Sequence, residues 1–327
     1  MIKYFAILSL ILTLAACDMA PSEKLGIDYH THIWSPELGK EMSELCGILM
    51  PCETSEMAKG TNAKDLMPIL DTSRFNRAAI MSGAYLFGSP EFKLEIEDQV
   101  KLTRVENQFI ADQVATSEKL FGFFSSNPIA DYAIEEARYW KKKGGFDGMK
   151  LHMAMGGVDF FNPDHIQKLQ NLFDVVDDKD MTILIHLQNR NPEYDDRDVE
   201  VFINDILPHV PNSTIIIAHA INWGNGLAQD KKALDYFIKA MNEGRVDTGR
   251  TYIGVGAILK EGLGEERQAL FLEQFRSLNI KNWVFGSDFT AIDPELHPVR
   301  YSKALLEAGM TTSELDQIIS KKLPFVN

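Results

Sequence analysis

Two unbroken apolar runs, Ile183-Leu184-Ile185 and Ile215-Ile216-Ile217, narrow the fold of this chain more than any other feature. A strand that is apolar at consecutive positions has no face to offer water. It belongs in a sheet covered on both sides, which is the usual setting of parallel strands. Six more strand-like runs share the chain, and the full set spans 27–32, 77–81, 120–125, 146–152, 181–186, 213–219, 251–255 and 282–287. Helix-like segments alternate with them, at 63–75, 91–117, 130–143, 163–179, 199–207, 227–241 and 265–278, then 297–308 with 312–321. Eight strands, each followed by a helix, within 327 residues predict one α/β domain, a (β/α)8 TIM barrel. A doubly wound open sheet is the runner-up. No glycine-rich loop follows the first strand, which argues against a nucleotide-binding form of that sheet. The long loop 33–60 has the length of a lid over a site.

Hydrophobic residues make up 45% of the chain and charged residues 24%, enough apolar material for a large core. A formal net charge of −14 repels nucleic acid and anionic lipid, so neither is expected as a partner. The N-terminus reads as a targeting segment. Lys3 precedes an apolar run, Tyr4 to Leu14, that is too short to span a bilayer. The run ends in Leu14-Ala15-Ala16-Cys17, which resembles a bacterial lipobox. That resemblance implies a signal peptide over 1–16, lipidation at Cys17, a tether over 17–25 and a barrel over 26–327. Asp18 then hints at a periplasmic face, with the membrane met only through the lipid. In an oxidising compartment Cys46 and Cys52 are expected to close a small disulfide loop around Gly47 and Pro51.

In a barrel, polar residues at strand C-termini converge on one mouth. His30 and His32 lie two apart, so they share a face at the end of the first strand. Lys150 and His152 end the fourth strand, His186 the fifth, His219 the sixth, and Asp288 follows the eighth. Imidazoles and a carboxylate gathered this way suit one divalent metal, Zn²⁺ first, with Mn²⁺ or Fe²⁺ open. Arg190, in a polar loop past His186, is a candidate clamp for a substrate carboxylate.

The pieces Asp28-Tyr29-His30-Thr31-His32, Gly148-Met149-Lys150-Leu151-His152, Ile185-His186, Ala218-His219-Ala220 and Gly286-Ser287-Asp288, in this order, resemble the amidohydrolase superfamily in its amidohydrolase-2 branch. The resemblance runs from Ile27 nearly to the C-terminus. It implies a mononuclear metal held by His30, His32, His186 and Asp288, with His219 a catalytic histidine beside it. Lys150 and His152 would then face substrate. A carboxylated Lys150 bridging two metals is the alternative, since some superfamily members carry one.

The function expected from these residues is hydrolysis of a small carbonyl compound, a lactone, ester or amide. A metal lowers the pKa of a coordinated water towards about 7, and Asp288 would serve as its general base. Decarboxylation of a small unsaturated or aromatic acid by the same set is the alternative. A catalytically silent, exported ligand-binding barrel is a third reading. The partner is a small molecule, and self-association stays open.

Overall fold

The computed structural model describes residues 26–46, 54–221, 227–258, 264–290 and 294–326. The expected signal peptide, the tether with Cys17, and Cys52 lie outside the described residues. Among those described, no helix is long and apolar enough to cross a membrane.

Eight strands form one parallel sheet in sequential order. They are β1 (Gly26–His32), β2 (Phe75–Met81), β3 (Leu120–Ser125), β4 (Gly148–His152), β5 (Thr182–His186), β6 (Thr214–Ile217), β7 (Thr251–Gly254) and β8 (Trp283–Val284). The ring closes through 285–289, which bonds to β1. The Tyr29 amide donates to the Phe285 carbonyl (3.0 Å), the Asp288 amide to the His30 carbonyl (2.8 Å) and the His32 amide to the Phe289 carbonyl (2.8 Å). The expected TIM barrel is the observed one.

Helices α1 (Pro36–Ser43), α2 (Thr54–Ala58) and α3 (Ala63–Thr72) follow β1. The chain continues through α4 (Ile96–Val114), α5 (Ala133–Lys143), α6 (Met153–Gly156), α7 (Pro163–Val176), α8 (Asp196–Val201), α9 (Leu227–Asn242), α10 (Glu265–Ser277), α11 (Pro298–Glu307) and α12 (Thr312–Ile319). Their starts are written locally. Asn62 with Asp65, and Thr311 with Glu314, form capping boxes, while Asn162 caps α7 ahead of Pro163.

The stretch after β1 is more structured than the loop expected there, since it carries α1 and α2. Trp34 is buried with Leu38, Met42, Met57 and Phe87, and its indole N–H donates to the Met57 carbonyl. Cys46 at the end of this stretch is disulfide-bonded. The helix expected over 199–207 is instead α8 followed by a π turn, Phe202–Ile206, before Pro208 forces a stop.

Two cores flank the sheet. Ile183, Ile185, Ile215 and Ile217 point outward under the helices. Ile27, Tyr29, Met81, Phe123, Leu184, Ile216 and Val284 fill the barrel interior, and Phe325 and Val326 from the C-terminal tail stopper its base. The Tyr29 hydroxyl fastens that tail, donating to the Lys321 carbonyl (2.7 Å) and accepting from the Leu323 amide (3.0 Å). The opposite end, where the strands finish, stays polar.

Candidate metal centre

His30 and His32 reach the polar end through an irregularity in β1. Ile27 and Tyr29, one parity of the strand, already face the interior. The pairing register with β2 then shifts between Asp28 and Thr31. Such a shift re-aims the side chains beyond it. The two Nε2 atoms end 3.1 Å apart, and Asp288 Oδ1 lies 3.2 Å from the first and 3.3 Å from the second.

Asp288 is delivered by the closing segment. Asp28 is fully buried beneath it and accepts from the Ser287 amide (2.9 Å), the Ser287 hydroxyl (2.5 Å) and the His30 amide (3.1 Å). One carboxylate thus holds both ligand-bearing strands together. Burial pushes Asp28 up to about 7 against those three donors. Asp288 itself sits at φ 63° and His219 at φ 58°, left-handed positions for non-glycine residues. Strain of about 1–3 kcal/mol at each is tolerated where the surrounding structure imposes it, commonly at functional sites.

The remaining rings continue round the mouth. His30 lies 5.0 Å from His219 between centroids, His219 4.9 Å from His186, and His186 stacks on His152 at 3.8 Å. Tyr85, from the 3₁₀ turn after β2, closes the arc at 5.0 Å from His152. Hydrogen bonds assign two tautomers. His219 Nδ1 lies 2.9 Å from the Gly256 carbonyl, which only accepts, so Nδ1 carries the proton and Nε2 keeps its lone pair. His152 Nδ1 accepts from the Met155 amide (3.2 Å), so its proton is on Nε2 and points to donation, not ligation.

Burial drives His30, His152 and His186 well below the ordinary histidine range, and His219 to about 4, so all four are neutral at pH 7. Burial alone would raise Asp288, but the surrounding imidazoles hold it well below the usual carboxylate range. The ligand atoms of His30, His219 and Asp288 all lie within 4.8 Å of one another. His30 Nε2 has three close neighbours, because Lys150 Nζ is also 3.0 Å away. A single ring nitrogen satisfies at most one of them. Lone pairs of neutral imidazoles converging on one anionic oxygen fit a divalent cation at their centre.

A family model described as Amidohydrolase, Amidohydro_2, matches residues 27–321. The chain belongs to this Amidohydrolase family. Among solved structures, its fold is similar to a zinc-bound amidohydrolase from Burkholderia multivorans, with 12% identity, 90% of this chain and 96% of that one covered, and a TM-score of 0.58. It is similar to a dihydroxybenzoic acid decarboxylase from Polaromonas with bound manganese and the inhibitor 2-nitroresorcinol (12% identity, 90% and 94% covered, TM-score 0.57). A putative 2-pyrone-4,6-dicarboxylic acid hydrolase from Pseudomonas putida matches at 13% identity, 90% and 94% covered, TM-score 0.55. Other matches include decarboxylases of 2,6-dihydroxybenzoate and 5-carboxyvanillate. At these identities the likeness speaks for the fold. No curated protein matches the chain.

Of the residues singled out from sequence, the fold brings His30, His32, Lys150, His152, His186, His219 and Asp288 to one end of the barrel. Lys150 is 1% exposed, and burial pulls its ammonium down to about 7. Arg190 is different. It pairs with Glu91 and is 42% exposed, which sets it at the rim. Sequence reading missed Asp28 as the strand brace and Tyr85 altogether. Asp28 stood within the quoted motif, whereas nothing local marks Tyr85.

Proposed function

We propose that this chain is a metal-dependent decarboxylase of a small aromatic carboxylic acid, within the alternative the sequence offered, decarboxylation of a small unsaturated or aromatic acid. The observation that carries it is Lys150, a buried amine set among neutral imidazoles with its Nζ 3.0 Å from His30 Nε2. With its ammonium drawn down to about 7, Lys150 is divided between neutral and charged forms, and an anionic ligand beside it favours the charged form, which a neutral lactone or ester does not. The decarboxylases among the structural neighbours support the same choice.

His30, His32, His186 and Asp288 would hold one divalent metal, zinc or manganese, with His219 beside them. When bound, the metal supplies Lewis-acid stabilisation to substrate oxygens. Lys150 binds the carboxylate end of the substrate. The bond between ring carbon and carboxyl carbon breaks, its electron pair stays on the ring carbon, a proton replaces it, and carbon dioxide leaves. His219 passes that proton. Its Nδ1–H is fixed on Gly256, so the Nε2 lone pair takes the proton from water and releases it to the ring carbon. Asp288, anionic, keeps the neighbouring imidazoles oriented.

The test is to load the protein with zinc or manganese and offer carboxyl-¹³C-labelled 2,6-dihydroxybenzoate and 5-carboxyvanillate beside a lactone panel. Release of ¹³CO₂, abolished by chelator, is the expected result. Lactone hydrolysis with no ¹³CO₂ from any acid would return the site to hydrolase chemistry.

A further inference from the structure

We propose that Tyr85 and His152 form a two-donor subsite for a second oxygen of the substrate, apart from the carboxylate held near Lys150. The inference rests on the decarboxylase reading. It starts from an orphan group. Tyr85 is 7% exposed, and its hydroxyl, which is not among the fully sealed side-chain atoms that lack a partner, makes no hydrogen bond to a described residue. Buried phenols normally find one, and an unpaired O–H beside a candidate active site is a position for a ligand.

The ring is placed rather than loosely packed. The Tyr85 amide donates to Ser125 Oγ (3.0 Å). Ser125 Oγ in turn donates to the Ser82 carbonyl (2.9 Å), and the Ser125 amide donates to Asn107 Oδ1 (2.9 Å). β2, β3 and α4 therefore all fix where the phenol stands. Its neighbour is the His152 ring at 5.0 Å, inclined by 40°. The Met155 amide on Nδ1 makes His152 Nε2 a donor. His152 also stacks on His186, their planes inclined by 15°. The donor pair thus begins one ring beyond a candidate metal ligand. Two donors suit a hydroxyl, phenolate or second carboxylate on a benzene-sized acid. Burial and the charge of Asp288 push the phenol up, so it keeps its proton to donate.

Tyr85→Phe deletes the O–H and leaves the ring. With metal-loaded protein, 2,6-dihydroxybenzoate should bind about tenfold more weakly to this variant by calorimetry, the size of one good hydrogen bond. The KM should rise in step while kcat changes less than about threefold. Benzoate, lacking the second oxygen, should lose less than about twofold. Wild-type binding of 2,6-dihydroxybenzoate with unchanged affinity in Tyr85→Phe overturns the subsite alone. Equal losses for both acids overturn it too, because the hydroxyl would then not be reading the second oxygen. If the wild-type protein binds neither acid, the decarboxylase reading falls and takes the subsite with it.

Discussion

Gly286 offers a steric test of how tightly the site is held. It precedes the Ser287 and Asp288 pair, where the closing segment presses on β1. A Cβ built on Gly286 would stand 2.8 Å from His30 Cβ, whereas ordinary contact begins at 3.4 Å. Its φ is not in the left-handed region, so alanine meets no backbone penalty and the whole effect is contact. The strands must separate by about 0.6 Å, and small-to-large changes of this kind cost about 1–3 kcal/mol. The same separation loosens the Asp288 amide to His30 carbonyl bond and spreads Asp288 Oδ1 from His30 Nε2. Metal sites tolerate only about 0.2 Å, and displacement of a reacting group by about 1 Å costs about 100-fold in rate. Gly286→Ala should therefore lower the melting temperature by a few degrees, weaken metal retention and cut turnover about 10–100-fold. Gly264→Ala is the control, because nothing lies within 4 Å of its Cβ. Thermal melts, elemental analysis and steady-state kinetics on both variants make the comparison. Wild-type metal content and turnover in Gly286→Ala would refute the claim that this contact sets the ligand geometry.

Two further outcomes follow from the geometry. His186→Ala should strip most of the metal, while His219→Ala should keep it and lose turnover by at least about 100-fold. Metal loss in the His219 variant alone would exchange the two roles, which the 4.9 Å between their rings permits. Glu106, fully buried with both carboxylate oxygens on the Ser35 amide, is pushed up to about 7 by burial, partly opposed by Ser35. Because the folded value is raised, its contribution to stability is complete below the ordinary 4.5 and is lost as pH climbs through about 7. Up to about 3 kcal/mol is involved. Glu106→Gln, which still accepts from Ser35, should flatten the melting temperature between pH 5 and pH 8 (about the window of the shift) and exceed wild type at the upper end. A lower melting temperature than wild type there would show the ionised carboxylate to be stabilising.

Whether sequence or tertiary structure decided a feature followed the range of the interaction behind it. Apolar runs, their alternation with helical patterns and the spacing of His30 and His32 are local properties, and they were enough for the barrel, its mouth and seven of the residues gathered there. The edges of elements moved because competition at each end is tertiary. Expected strand residues 218–219 became a left-handed turn at His219, where its Nδ1 reaches the Gly256 carbonyl. Arg190 had the chemistry of a clamp, but Glu91 claims it at the rim. Lys150 could be placed on a strand end, yet its contact with His30 spans 120 residues, and the Asp28 brace to Ser287 spans 259. No pattern in a single segment encodes such meetings. Tyr85 shows the limit most clearly. In the chain it is one aromatic residue in a turn, and only closure of the ring sets its unpaired hydroxyl beside His152. The sequence by itself determined seven of the side chains that could do chemistry at the barrel mouth. The tertiary structure decided which atoms face one another there, because ring closure and the register shift in β1 set distances that periodicity leaves free.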